Sequence, residues 1–140
     1  MIFDTGPLVA AANRADPWHE SCARLIRTRG DIVVPGPVVA EAGFLIAKMG
    51  GAGAESAFLR SLSADPFTVV APDPLELRRA AELVSMYGDL PLGSTDAIVM
   101  AMTESRNDPR VATLDRRHFS IVRPIGLPAF QVLPDEDERR

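Results

Sequence analysis

Met1-Ile2-Phe3-Asp4-Thr5-Gly6-Pro7-Leu8 opens the chain as a short apolar run that stops at an acid and is broken at once by a turn. A run of this kind reads as a brief strand that ends in a carboxylate. The pattern then repeats. Leu8 to Ala12 read as a short helix, and Pro17, with Asp16 as its cap, opens a longer one whose apolar stripe is Trp18, Cys22, Leu25 and Ile26. Ile32-Val33-Val34 form a second strand candidate, closed by Pro35. Gly36-Pro37 open a helix reaching about Met49; Gly50, Gly51 and Gly53 break it, and Ala54 to Ser63 form the next. Phe67 to Val70 read as a third strand. Pro74 opens a helix through Tyr87 with Leu77, Ala80, Ala81 and Val84 as its expected buried face. Ser94 is placed to cap a helix that is apolar almost all round from Ala97 to Met102, and so should be buried. Arg110 to Leu114 make a fourth strand that ends at Asp115, and Val122 to Ile125 with Phe130 to Leu133 leave room for a short edge strand. Short strands alternating with helices predict an α/β fold around a mainly parallel sheet of four to five short strands.

The 140 residues suffice for one domain with a core of its own, expected over 1–134, followed by a charged tail over 135–140 that should fray. Cys22 is the single cysteine, which excludes an intrachain disulfide and a cysteine zinc cluster. No apolar run has the length of a membrane span, and the start lacks the basic and apolar regions of a secretory leader, so a cytoplasmic protein without membrane association is expected. A net charge of −4 argues against a broad basic surface that coats nucleic acid. Of the 15 basic residues only Lys48 is not Arg, and Arg grips phosphate in a bidentate way; a GC-rich genome gives the same bias.

Four acids stand where acids are costly. Asp4 and Asp115 end strands, and in parallel sheets ligands bind beyond the C-terminal ends of strands. Glu41 lies three residues after Val38 and four before Leu45, which sets it on the apolar stripe of its helix. Asp96 lies in the first turn of the helix expected to be buried. Each also has a plain structural reading: a turn or cap for Asp4, the start of a turn for Asp115, dipole stabilisation for Asp96, and for Glu41 a rotated helix or a buried Arg partner. Taken together, the four suit a hard divalent cation. No Ser or Cys nucleophile with a histidine partner stands out. His118 reads as a packing or hydrogen-bonding residue, Asp89 as a loop residue, and Trp18 and Cys22 as core. Arg116 and Arg117 are candidates for RNA phosphate contacts, and solvated charge accounts for them equally well.

The segments Ile2-Phe3-Asp4-Thr5-Gly6-Pro7-Leu8, Val38-Val39-Ala40-Glu41, Leu92-Gly93-Ser94-Thr95-Asp96-Ala97 and Thr113-Leu114-Asp115-Arg116-Arg117-His118-Phe119 resemble, in order and spacing, the motifs of PIN-domain ribonucleases of the VapC toxin family. Arg123-Pro124-Ile125-Gly126 adds to the match. The resemblance implies a three-layer α/β/α sandwich and a Mg²⁺- or Mn²⁺-dependent endoribonuclease acting through metal-activated water. It also implies a homodimer and a cognate antitoxin that blocks the site. Asp4, Glu41 and Asp96 match the core acids and Asp115 the fourth, more variable one; Asp4 and Asp96 would hold the metal. Thr5 and Thr113 match positions that support the acids. The implied substrate is RNA, structured loop or single-stranded, from tRNA, rRNA or mRNA.

Two other readings compete. A haloacid-dehalogenase-type aspartyl phosphatase or phosphotransferase would use Asp4 as nucleophile, but it wants an acid where Gly6 stands and a lysine near the phosphoryl group, and Lys48 is the only lysine. A catalytically silent PIN interaction module would have lost an acid, and all four are present.

Overall fold

Five strands, every neighbouring pair parallel, stand in the order β3-β2-β1-β4-β5. They are β1 (Ile2–Phe3), β2 (Ile32–Pro35), β3 (Phe67–Val70), β4 (Arg110–Ala112) and β5 (Gln131–Leu133). The computed structural model describes residues 1–139. The helices are α1 (Thr5–Ala12), α2 (His19–Thr28), α3 (Gly36–Ser61), α4 (Pro74–Met86), α5 (Ser94–Ser105) and α6 (Arg116–Ile121).

The strand order fixes the layers. From β1 the chain steps to β2 and then β3 in one direction, then returns past β1 to β4 and β5 in the other. Parallel crossovers are right-handed, so the reversal moves the helices to the opposite face. In agreement, α1 packs on α2 and α3, while α4 packs on α5. The result is the expected three-layer α/β/α sandwich. Its central strands are buried on both faces: Ile2, Phe3, Ile32, Val34, Val111 and Ala112 are almost wholly enclosed. Each large side chain among them contributes about 1.5–3 kcal/mol by leaving water.

Several local expectations need correction. Asp4 caps α1 directly, so this helix begins at Thr5 and not at Leu8. Asp16 accepts a hydrogen bond from the Trp18 N–H at 2.8 Å, but it closes a turn, and α2 starts only at His19. Gly93, not Ser94, is the cap of α5. The short α6 occupies a stretch in which no helix was expected, and only residues 131–133 of the C-terminal candidates form a strand.

The chain reverses within α3 at Gly51, whose φ of 74° suits glycine. Phe58 therefore returns beside Gly43: its Cε1 lies 3.9 Å from where a Gly43 Cβ would stand. That return decides which face of the first half is inward. Val38, Ala42, Gly43 and Ile46 are buried, whereas Glu41, Leu45 and Met49 are exposed. Glu41 is thus not on the buried stripe.

In α4 the buried positions are Glu76, Ala80 and Leu83; Leu77, Ala81 and Val84 face outward. The cause is polar. Glu76 forms a reciprocal capping box with Asp73 and accepts from Arg106 Nη1 at 3.0 Å and from Ser105 Oγ. Beside it, Arg79 donates twice to Glu104, at 2.8 and 3.0 Å. These bonds hold α4 on α5 with its acid inward. The tail is partly tied down: Glu136–Glu138 form one 3-10 turn, and Glu138 pairs with Arg24. Arg140 lies outside the described residues.

Candidate active site

Phe3 and Ala112 are partners in the β1–β4 pair, so the two strands end side by side. This is where the connection reverses direction, the place at which open parallel sheets bind ligands. β1 delivers Asp4 there, and β4 delivers Thr113 and Asp115. Gly6 lets α1 approach closely: a Cβ on it would stand only 3.2 Å from Leu114 Cβ and Cγ. A larger residue at position 6 would need the Leu114 side chain to give by a few tenths of an ångström.

A chain of hydrogen bonds ties the acids together. Asp4, 5% exposed, accepts from the Thr5 N–H at 2.7 Å and from Thr113 Oγ1 at 2.7 Å. Thr113 Oγ1 in turn accepts from the Asp115 N–H at 3.1 Å. Thr5 Oγ1 donates to Glu41 Oε2 at 2.8 Å, so Glu41 joins the site from the solvent side of α3. Asp115 caps α6, accepting from the His118 N–H at 3.0 Å. The His118 ring then spans two carboxylates, with Nδ1 at 2.9 Å from Asp96 Oδ2 and 2.8 Å from Asp115 Oδ2.

The electrostatics of the cluster are unfavourable without a cation. Burial pushes the Asp4 carboxyl up to about 6; the donors Thr113 and Thr5 oppose the rise, and the nearby charges of Asp96 and Glu41 add to it. Burial also raises Asp96, with His118 opposing and Asp115 and Glu41 adding. Among the described residues, no Lys or Arg forms an ion pair with any of the four acids; the one basic partner is His118. Ligand atoms of Asp96, Asp115 and His118 lie within 4.8 Å of one another. A donor set dominated by carboxylate oxygens, partly buried and repelling itself, fits a hard divalent cation.

The model of the PIN domain matches residues 1–123. Ribonuclease VapC26 of Mycobacterium tuberculosis is 37% identical over 135 residues, which are 96% of this chain and 100% of that protein. The chain belongs to the PIN-domain family. Solved PIN-like structures share its fold. That of VapC20 from M. tuberculosis, described as a sarcin-ricin loop cleaving toxin, superposes with a TM-score of 0.78 at 18% identity, covering 91% of this chain and 99% of that one. A toxin–antitoxin complex from Klebsiella pneumoniae gives 0.66 at 17% identity, covering 86% and 91%.

Within this PIN domain, Asp4, Glu41, Asp96, Asp115, Thr5 and Thr113 lie at one site, with Glu41 reached by a different route from the one its spacing predicted. Arg116 and Arg117 line a neighbouring pocket with Asp115. His118 takes a larger part than sequence reasoning gave it. The available signal was its spacing: three residues after Asp115 on a helix places both on one side. Nothing in the sequence pointed to its contact with Asp96.

Proposed function

We propose that this PIN domain is the toxin of a toxin–antitoxin pair, an endoribonuclease that hydrolyses RNA phosphodiester bonds with Mg²⁺, for which Mn²⁺ can substitute. The observation that carries the reading is the convergence of four acids from separate elements on the β1–β4 switch point, one of them buried with its carboxyl raised to about 6. A bound divalent ion would supply charge neutralisation and a more acidic water.

The chain's own residues do the rest. Asp4 and Asp96 would hold the ion, and Thr113 fixes Asp4 by its hydroxyl bond. Glu41, exposed and oriented by Thr5, stands at the mouth of the cleft, where it accepts the proton of the attacking water. His118 holds Asp96 and Asp115 in mutual register, as outer groups orient metal-binding carboxylates. Attack at phosphorus forms one P–O bond and breaks the ester P–O bond, and the leaving oxygen takes up a proton.

For partners we propose RNA, an antitoxin and a second copy of the chain. Among the described residues no helix is long and apolar enough to cross a membrane, and we place the activity in the cytoplasm. Exposed Leu77, Val84 and Met86 on α4 give a surface suited to a protein partner. The antitoxin should bring an Arg or Lys to the cleft, where it replaces the cation.

The test is cleavage of total bacterial RNA by the partner-free chain with Mg²⁺, Mn²⁺ or EDTA, beside an Asp4→Ala, Asp96→Ala variant. Metal-dependent cuts that the variant loses are expected. Equal inactivity of both proteins while the metal still stabilises the wild type would overturn the ribonuclease reading.

A further inference from the structure

Next to the acid cluster, and sharing Asp115 with it, is a pocket of about 600 Å³ lined by Trp18, Leu114, Asp115, Arg116, Arg117, Glu136 and Arg139. Its volume falls in the range of small-ligand sites. Three of the chain's cations gather there although the protein as a whole is acidic. We propose that this pocket is a nucleotide subsite beside the cleaved bond, in which an unpaired RNA base stacks on the wall formed by Trp18 and Arg116 and its phosphate meets Arg117. The proposal rests on the ribonuclease reading and adds to it a residue read from the sequence as core.

Trp18 is only half-buried, and its backbone is pinned. Its backbone N–H donates to Asp16, and its carbonyl accepts from the Cys22 N–H at 2.9 Å and from Ser21 Oγ at 3.1 Å. The Arg116 guanidinium lies 5.6 Å from the centre of the indole and donates to the Pro134 carbonyl. Arg116 Nε, enclosed, has no hydrogen-bond partner among the described residues. Arg116 is thus a fixed part of the wall, layered over the indole. Arg117 differs: it is exposed and forms no ion pair among the described residues, so it can turn to a phosphate.

An aromatic wall beside a guanidinium free to turn is the chemistry that holds single-stranded nucleic acid, since every base has a face to stack and every link a charge to pair. Asp115 joins the two sites, so a nucleotide in the pocket sets its neighbouring phosphate at the acids. Glu136 keeps phosphate away from its own side, and Arg117, on the helix that Asp115 caps, is the cation beside the acids.

Trp18 is the only tryptophan in the chain, so its emission reports the pocket directly. The partner-free protein would be titrated with a short single-stranded oligoribonucleotide, with Ca²⁺ in place of Mg²⁺ to neutralise the cleft. Saturable quenching is expected, with none from an abasic strand of equal length. Trp18→Ala should raise the KM for RNA cleavage about tenfold with little change in kcat, and Trp18→Phe should restore most of the loss. Arg117→Ala, at an exposed position that folding does not need, should lower the salt dependence of binding by about 0.7 in log–log slope. If RNA binds and is cut while Trp18 emission stays constant and Trp18→Ala keeps the wild-type KM, the subsite is refuted and the ribonuclease stands. If the wild type neither binds nor cuts RNA, both fall.

Discussion

At Asp4 one carboxylate caps α1 through Thr5, accepts the Thr113 hydroxyl, and sits near Asp96 and Glu41. Its folded pKa of about 6 lies above the ordinary 3.8, so the metal-free fold favours the protonated form. The associated stability is full below 3.8 and is lost as pH rises through about 6; the difference amounts to about 3 kcal/mol. Urea unfolding in EDTA should therefore show the protein weakening between pH 4 and 7, and divalent metal should reverse the loss. Asp4→Asn should flatten most of this profile, leaving the smaller part due to Asp96, which is raised for the same reason. An unchanged slope in Asp4→Asn would place the pH dependence elsewhere. Thr113, fully buried, stabilises the ionised form of Asp4. Thr113→Val should cost about 1–3 kcal/mol, weaken metal binding and move the pH midpoint upward, with Thr113→Ser close to wild type. Asp4 and Asp115 show why the sequence left each acid ambiguous: both are helix caps and site residues at once.

Among the elements, α3 and α4 stand where the sequence places them, but their inward faces are only partly the expected ones: Val38, Ala42 and Ile46 of α3 and Ala80 of α4 are buried, while Leu45, Met49, Leu77, Ala81 and Val84 are exposed. Each spreads its apolar residues over more than one face, so periodicity alone does not choose which turns inward. In α3 the choice comes from the reversal at Gly51, which brings Phe58 against Gly43. In α4 it comes from Glu76, whose capping box and bond to Arg106 turn an acid inward. Neither constraint is local enough for a hydrophobic pattern to register. The six residues of α6 are too few for periodicity to show, and its fixing bond is the Asp115 cap. The α4–α5 ion pairs matter to the site because α5 carries Asp96. The side chains of Arg79 and Glu104 are 15% and 8% exposed, and Glu104 also accepts from the Ile125 N–H at 3.0 Å. Glu104→Ala leaves Arg79 with only the exposed Glu82 and should destabilise the fold by about 3 kcal/mol in urea titration. A loss below about 1 kcal/mol would mean that the Arg79–Glu104 pair does not help to hold the two helices together.

For the molecule as a whole, the order of strands does what no single residue could. The chain runs outward from β1 to β3, returns to β4, and so sets Asp4 at the end of β1 beside Asp115, which caps α6 three residues beyond the end of β4, a strand shorter than the expected run to Leu114. The sequence showed both acids at strand ends; that the strands were neighbours was visible only through the family resemblance, since register and order depend on long-range pairing. The same topology sets the pocket of Trp18 and Arg117 beside the acids, a juxtaposition of residues almost a hundred positions apart. In the function proposed above, water activated at this carboxylate cluster attacks RNA phosphorus. The direct measurement is cleavage of a defined RNA in ¹⁸O-labelled water with Mg²⁺, followed by mass analysis of the new fragment ends. One labelled oxygen in the terminal phosphate, with no 2′,3′-cyclic phosphate at any time point, is the predicted result. A cyclic phosphate as the first product would show attack by the ribose hydroxyl and contradict the account.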